Sequence, residues 1–509
     1  MKQTINVNVS LDYDDSEIKR AAKKDYNLKL ESYEIIERSL DARRSVLKFN
    51  LKLLVDFDFE IKGSGKYREK YKPRVLPKNK LKVGIVGFGP AGIYAAHILN
   101  LAGFGVDVYE RGSDVDKRKE EVFKFIESRV LNPESNISFG EGGAGTFSDG
   151  KLTSRSKDDR KEYVKETLYS FGAPEDIKIM HKPHIGTDIM TEVIKNFRYD
   201  LLKRGVNINF NSKAERLIFE GEKVVGIETE TGKYYYDIVI LAIGNAARDT
   251  FLNLIAEGVK LEGKSFSVGF RIEHSQLFVD KAQFRNYVGH RRLLHGEYSL
   301  TAKAGDNGVY SFCMCPGGIV VPSASEEFHL SVNGMSFHDR GLPNANSAIV
   351  RTVNDIEDPI KAIDYQREIE RRAFILGGED YTAPAIHVRD FIDNKEAKTL
   401  MNVRPSIKTG VRYTKIDEIF EKGFADDLRK GLLQMDKKMN GFIDDAIITA
   451  PETKTSSPVR INRDEYFRTN ITNLFACGEG AGYAGGIVSA ALDGLKCAEK
   501  IMEVTIDGI

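Results

Sequence analysis

The stretch from Lys82 to Gly112, KVGIVGFGPAGIYAAHILNLAGFGVDVYERG, constrains this chain more than any other. It opens with an apolar strand pattern at Val83, Ile85 and Val86, then turns through Gly87-Phe88-Gly89-Pro90-Ala91-Gly92 into an apolar-faced helix. A second strand (Val106, Val108, Tyr109) ends on Glu110 and Arg111. Gly87 permits the tight turn, Gly89 lets a pyrophosphate approach the backbone, and Gly92 lets helix and strand pack closely. The helix N-terminus that opens at Pro90, from Ala91 onward, presents free N–H groups to phosphate. Glu110 follows Gly92 by 18 residues, where a carboxylate takes both hydroxyls of an adenosine ribose. A GxGxxG alone is a weak signal. Strand, loop, helix, strand and acid in register predict a dinucleotide-binding unit.

With 509 residues the chain is expected to form two or three domains. Lys+Arg and Asp+Glu are both 75, so no global field attracts nucleic acid or an anionic membrane. The cysteines Cys313, Cys315, Cys477 and Cys497 fit neither a disulfide framework nor a zinc site, and no metal is expected. The N-terminal MKQTINVNVSLDYDD lacks an apolar signal core, and no 18-residue apolar run exists. A cytoplasmic protein is the expectation.

Residues 1–75 read as a small α/β unit, with alternation at Ile5, Val7 and Val9, a charged helix from Asp15 to Lys24, and unbroken alternation from Phe49 to Ile61. Residues 62–82 are Gly-, Pro- and Lys-rich, with Glu69 the single acid. A solvated linker is favoured there over a basic strap on an anionic cofactor, protein or RNA. The loop FGEGGAGTFSDGKLTSR, from Phe139 to Arg155, holds Gly140, Gly142, Gly143, Gly145 and Gly150. Such a loop suits close backbone approach to a flat ring or a phosphate. Met190, Val193, Ile194, Phe197 and Leu201 fall at helical spacing, and short strands follow at Val206–Phe210, Ala214–Phe219 and Val224–Glu230. Ile238 to Ile243 reads as a strand rejoining a parallel sheet. From Lys260 to Pro451 short strand patterns (Ser265–Ile272, Gly308–Met314, Phe328–Val332) alternate with helices at Tyr365–Leu376 and Phe424–Met439. Finally Ala476-Cys477-Gly478-Glu479-Gly480 leads through Gly485-Gly486-Ile487 into a last helix, a second glycine-rich helix N-terminus.

This arrangement resembles the FAD-binding fold of the glutathione-reductase type. The resemblance implies a Rossmann-like three-layer FAD-binding domain in two parts, 76–259 and 452–509. An inserted α+β substrate or cap domain at 260–451 and the N-terminal α/β domain at 1–75 complete it. It also implies that Gly87, Gly89, Gly92 and Glu110 hold the pyrophosphate and ribose. Ala242 and Gly244 would form the ATG-like strand end, and Gly478-Glu479 stands in the Gly-Asp ribitol position, one methylene longer than Asp. More narrowly, FGEGGAGTFSDGKL, CMCPGG, VNGMS, ETKTSSPVRI and ACGEGAGYAGGIVSAALDG resemble a group of bacterial FAD-dependent dehydrogenases. The likeness supplies fold and cofactor, not a substrate. The cofactor-binding set read here is Gly87, Gly89, Pro90, Ala91, Gly92, Glu110, Arg111, Gly142, Gly143, Ala144, Gly145, Thr146, Phe147, Ala214, Ala242, Gly244, Gly478, Glu479, Gly485, Gly486 and Ile487.

A flavin carries the redox chemistry itself, so the protein need only bind, orient and tune it. Lys151, His184, Arg404 and Tyr483 are the candidate substrate-facing polar residues. Cys313-Met314-Cys315 invites a redox-thiol reading, but a bridge across one residue is strained and small packed cysteines are preferred. His290-Arg291-Arg292 reads as a solvated basic turn rather than an anion site. The leading function is an FAD-dependent oxidoreductase passing a hydride between a small organic substrate and non-covalent FAD, with NAD(P)H weighed as donor. Against it stand a flavin-dependent RNA-modifying protein, suggested by residues 62–82, and a non-catalytic flavoprotein electron carrier or binding module.

Overall fold

The computed structural model describes residues 1–43, 45–78, 80–154, 156–397 and 402–506. Residues 398–401 of the expected inserted domain and 507–509 of the expected second FAD-binding segment lie outside the described residues. The architecture is mixed α/β.

The strand Lys82–Val86 is the centre of a five-stranded sheet. From edge to edge its order is Leu474–Ala476, Ile238–Leu241, Lys82–Val86, Gly105–Tyr109 and Asn207–Asn209, all parallel. Strands buried on both faces need apolar residues at successive positions, and Ile238-Val239-Ile240-Leu241 supplies them. Ile238 and Ile240 join the core under the helices Pro90–Leu101 and Ile487–Thr505. Val239 and Leu241 face the other way, onto Leu217, Val224 and Ile227 of an antiparallel three-stranded meander. Gly87 has φ +103, and a Cβ there would stand 2.4 Å from the Ala242 carbonyl oxygen. That turn therefore admits glycine alone.

A seven-stranded mixed sheet forms the second large layer. Its order is Thr301–Ala304, Asn307–Cys315, Asn344–Val353, Phe266–Ser275, Ala446–Glu452, Ala383–His387, Val411–Tyr413. The helices Pro359–Gly377 and Phe424–Lys438 bury Ile369, Phe374, Leu428 and Leu432 against it. Leu261–Gly263 and Val459–Ile461 pair antiparallel, Leu261 opposite Ile461, so the chain crosses between the two large sheets along adjacent strands. The strand expected at Phe328–Val332 starts only at Val332. Phe328 has φ +62 and is exposed, which takes it out of extended geometry.

Residues Lys2–Val9, Glu34–Asp41, Lys48–Asp56 and Gly65–Lys66 form a four-stranded sheet around the helix Asp15–Tyr26. Asp14 caps that helix, its carboxylate accepting from the Glu17 N–H. The turn His290-Arg291-Arg292 is not merely solvated. Asp12 accepts from Arg291 at 3.1 Å, and Arg292 donates to the Tyr13 carbonyl at 2.9 Å, so the turn anchors the N-terminal sheet. The same sheet bonds to the 179–181 segment through Arg38 and His181, at 2.6 and 3.0 Å. The basic segment is also tied down: Arg68 pairs with Asp159, Lys70 with Glu166, and the Tyr71 hydroxyl donates to Glu499 at 2.6 Å. The segment is thus partly paired with the body of the protein, whereas its composition favours a solvated linker.

Candidate active site

A cleft of about 2900 Å³ runs between the two large sheets, with the N-terminal sheet at its mouth. Its floor is backbone. Gly87, Gly89, Pro90 and Ala91 line it, together with Gly143, Ala144 and Gly145, Ala242 and Gly244, and Gly485, Gly486 and Ile487. A Cβ on Gly244, Gly485 or Gly486 would meet nothing within 4 Å, and one on Gly89 only the Gly143 Cα at 3.8 Å. These glycines leave an open face that side chains would fill. The helix Pro90–Leu101 begins at Gly89 with no side-chain cap, and Ile487–Thr505 begins at Gly486 likewise. Two uncapped N-termini on one cleft offer N–H groups and partial positive charge to an anionic ligand.

Gly92, Gly142, Thr146, Phe147 and Gly478 stand behind this floor and shape it. A Cβ on Gly92 would lie 2.0 Å from the Gly87 oxygen, and one on Gly478 2.7 Å from the Ala91 Cβ. Gly142 donates its N–H to the Phe88 carbonyl at 2.9 Å, which docks the second glycine-rich loop on the first. Thr146 is buried and donates to the Glu141 carbonyl, and Phe147 lies under the Arg118 guanidinium.

Glu110 lines the cleft at the end of its strand and is 5% exposed. Its Oε2 accepts from Phe88 N–H at 2.8 Å, and its Oε1 from Gly112 at 3.0 Å and Gly140 at 2.9 Å. A carboxylate has about four acceptor positions, so one remains, on Oε2. The expectation that it takes both ribose hydroxyls is thereby narrowed to one. Arg111 holds Asp249 through two hydrogen bonds of 2.9 Å and stacks over Phe139 at 4.1 Å. Its guanidinium is committed to the cleft wall. Ala214 and Lys213 line the same end.

Glu479 lines the cleft beside Lys264, and its Oε1 accepts from Asn245 Nδ2 at 3.1 Å. Burial pushes its carboxyl up to about 7, against the opposing charge of Lys264. The seven-stranded sheet adds Cys313, Met314 and Glu452, and the loops beside it add Glu297 and Lys454. Lys454 donates to the Ser323 carbonyl at 2.8 Å and Ser325 Oγ at 2.7 Å, and burial lowers its ammonium to about 8. Of these wall residues, sequence reasoning weighed Glu479 and the Cys313-Met314-Cys315 run but did not single out Glu297, Glu452 or Lys454, although the last two fall in the ETKTSSPVRI stretch.

The four polar candidates separate. Lys151 lines the cleft, donating to the Met314 carbonyl, with Asp149 at 3.9 Å and Glu297 at 4.0 Å. Tyr483 also lines it, its ring 3.8 Å from the Arg463 guanidinium carbon. His184 is buried behind the wall, stacked on His338 and bonded to the His338 carbonyl at 2.9 Å, and burial lowers its pKa. Arg404 is exposed and does not line the cleft; its carbonyl accepts from Asn344 at 2.8 Å.

Residues 265–455 match the family described as FAD-dependent protein, C-terminal domain-like, and residues 1–56 match a domain of unknown function, DUF8436. An uncharacterized protein of Clostridium beijerinckii is 41% identical, covering 98% of each chain. Among solved structures, glycerol-3-phosphate dehydrogenase from Bacillus halodurans complexed with FAD is similar at TM-score 0.36 and 11% identity, covering 84% of this chain and 65% of that one. L-proline dehydrogenase from P. horikoshii gives TM-score 0.33 and 13% identity over 84% and 95% of the two chains. No described helix is long and apolar enough to cross a membrane. Identity over almost the whole length decides the matter: the chain belongs to the family of the C. beijerinckii protein, and its central residues are of the FAD-dependent C-terminal type.

Proposed function

We propose that the chain binds FAD non-covalently along the cleft and acts as an FAD-dependent oxidoreductase on a small organic substrate. One observation carries the reading. Three glycine-rich backbone stretches far apart in sequence, at Gly87–Ala91, Gly143–Gly145 and Gly485–Ile487, meet on one cleft at two uncapped helix N-termini. The match of residues 265–455 to an FAD-dependent domain supports it.

In this reading residues 76–259 and 452–509 form the FAD-binding domain, and 260–451 the domain that faces the substrate. Gly89, Pro90 and Ala91 hold the pyrophosphate, Glu110 one ribose hydroxyl and Glu479 the ribitol, while Gly143–Gly145 and Gly485–Ile487 line the ring. Bound FAD supplies two-electron hydride chemistry. The protein's own share is electrostatic: N–H groups at Gly486 and Ile487 present positive potential where reduction adds negative charge. Lys151 and Tyr483 are the polar groups that meet the substrate.

The test is the visible spectrum of the purified protein, followed by anaerobic addition of NADH and then NADPH. Flavin bands near roughly 370 and 450 nm are expected. Bleaching by one nucleotide identifies the donor, and absence of bleaching assigns reduction to the substrate. A colourless protein that cannot be reconstituted with FAD would falsify the reading.

A further inference from the structure

We propose that Cys313 and Cys315 are a thiol–disulfide couple in the cleft wall, which takes two electrons from thiol substrates and passes them to oxidised flavin. The proposal rests on the flavin reading for its final acceptor only.

The strand Asn307–Cys315 pairs with Asn344–Val353 in regular register until Phe312, and the register then breaks before Cys315. Cys313 sits in this bulge with φ +44, a left-handed conformation that costs a non-glycine residue free energy. The bulge turns Cys313 to the cleft, half-buried, while Cys315 behind it is fully buried. Cys315 Sγ donates to the Cys313 carbonyl at 3.4 Å, so the second thiol folds back onto the backbone of the first. By contrast Cys477 and Cys497 are both buried in the packed core.

Two cations grip the same tripeptide. Arg271, itself fully buried, donates Nη1 to the Cys313 carbonyl at 2.8 Å and is fixed by Glu452 at 2.6 Å and Asn333 at 2.7 Å. Lys151 donates to the Met314 carbonyl. The hydrogen bond from Cys315, then Arg271 and Lys151, hold the Cys313 thiol below its usual range against burial and Asp149, while Cys315 is pushed up. Cys313 lines the same cleft as Glu479 and the C-terminal glycine-rich turn.

A stabilised Cys313 thiolate makes the reduced pair favourable, and a bridge across one intervening residue is strained. Both effects make the disulfide oxidising. A substrate thiolate RS⁻ attacks the Cys313 or Cys315 sulfur, the bridge breaks, and the released Cys thiolate is left in the wall. A second RS⁻ then attacks the substrate sulfur of the mixed disulfide and frees the other Cys. The sum is 2 RSH plus the bridge giving RSSR plus the dithiol. The dithiol returns to the bridge by giving two electrons and two protons to oxidised flavin.

The experiment equilibrates the intact yellow protein in reduced and oxidised glutathione, traps free thiols by alkylation, and reads each cysteine peptide by mass spectrometry. Expected is reversible joint loss of alkylation at Cys313 and Cys315, with Cys477 and Cys497 unchanged. Cys315→Ser should accumulate a glutathione adduct on Cys313. Alkylation of Cys313 at neutral pH should be roughly tenfold faster than that of Cys477 or Cys497. Anaerobic glutathione should bleach the flavin of the wild type and not of Cys313→Ser. A yellow protein whose Cys313 and Cys315 stay free in oxidised glutathione overturns the couple and leaves the flavin reading intact. A colourless protein that still forms the bridge removes the flavin reading and the final acceptor, and leaves the couple.

Discussion

Gly494 in the last helix lies so close to Ala91 in the first that a Cβ on it would stand 2.0 Å from the Ala91 carbonyl oxygen. The two helices whose N-termini open on the cleft are thus locked together at backbone level. Gly494→Ala gains up to about 1 kcal/mol of helix propensity but must push the helices apart. A net loss of about 1–3 kcal/mol is expected from overpacking. Chemical denaturation measures it, and flavin content per protein should fall with it.

Gly89→Ala separates binding from folding. Its φ of −80 is ordinary and its Cβ would meet only the Gly143 Cα at 3.8 Å, so the fold should tolerate it. Stability without ligand should change by no more than about 0.5 kcal/mol. FAD affinity should fall at least tenfold, about 1.4 kcal/mol, read by flavin fluorescence titration. Equal affinity in the variant would move the pyrophosphate elsewhere.

Much of this was legible beforehand. The run from Lys82 to Gly112 declared itself because every local signal in it agreed: apolar strand, glycine turn, helix, strand, acid. The carboxylate of Glu110 was legible as a residue but not as a geometry. Three backbone donors claim it, and two of them, Gly112 and Gly140, come from turns whose path depends on tertiary packing. Phe328 misled because alternation does not reveal a left-handed φ. The substrate wall was illegible for a different reason: Lys454 and Glu297 become neighbours of the cleft only through the order of a seven-stranded sheet.

Glu370 gives a pH dependence. Burial would raise its carboxyl, but Arg248 and Lys454 hold it at about 2, below the usual 4.5. A depressed acid adds stability that is complete above pH 4.5 and is lost as the pH falls toward 2. The gap between wild type and Glu370→Gln in urea should therefore close over that window, by about 3 kcal/mol. Arg248→Met, which strands Glu370 beside its remaining partners, should cost about 3–5 kcal/mol at neutral pH.

Glu479 has the opposite sign. Burial raises its carboxyl from 4.5 to about 7, so the folded state prefers the proton. Its favourable contribution is present at low pH and is lost as the pH rises through that interval. Without FAD, Glu479→Gln should gain on the wild type by about 3 kcal/mol between pH 4.5 and 7, then run parallel. Two stability curves that never diverge would place the carboxyl in water.

The paired strands Leu261–Gly263 and Val459–Ile461 carry the chain from the parallel sheet to the seven-stranded sheet and back. The match to the FAD-dependent family, residues 265–455, falls just inside them. Both ends of that segment thus stand side by side on one two-stranded post, which fixes where the seven-stranded sheet is hung beside the parallel one.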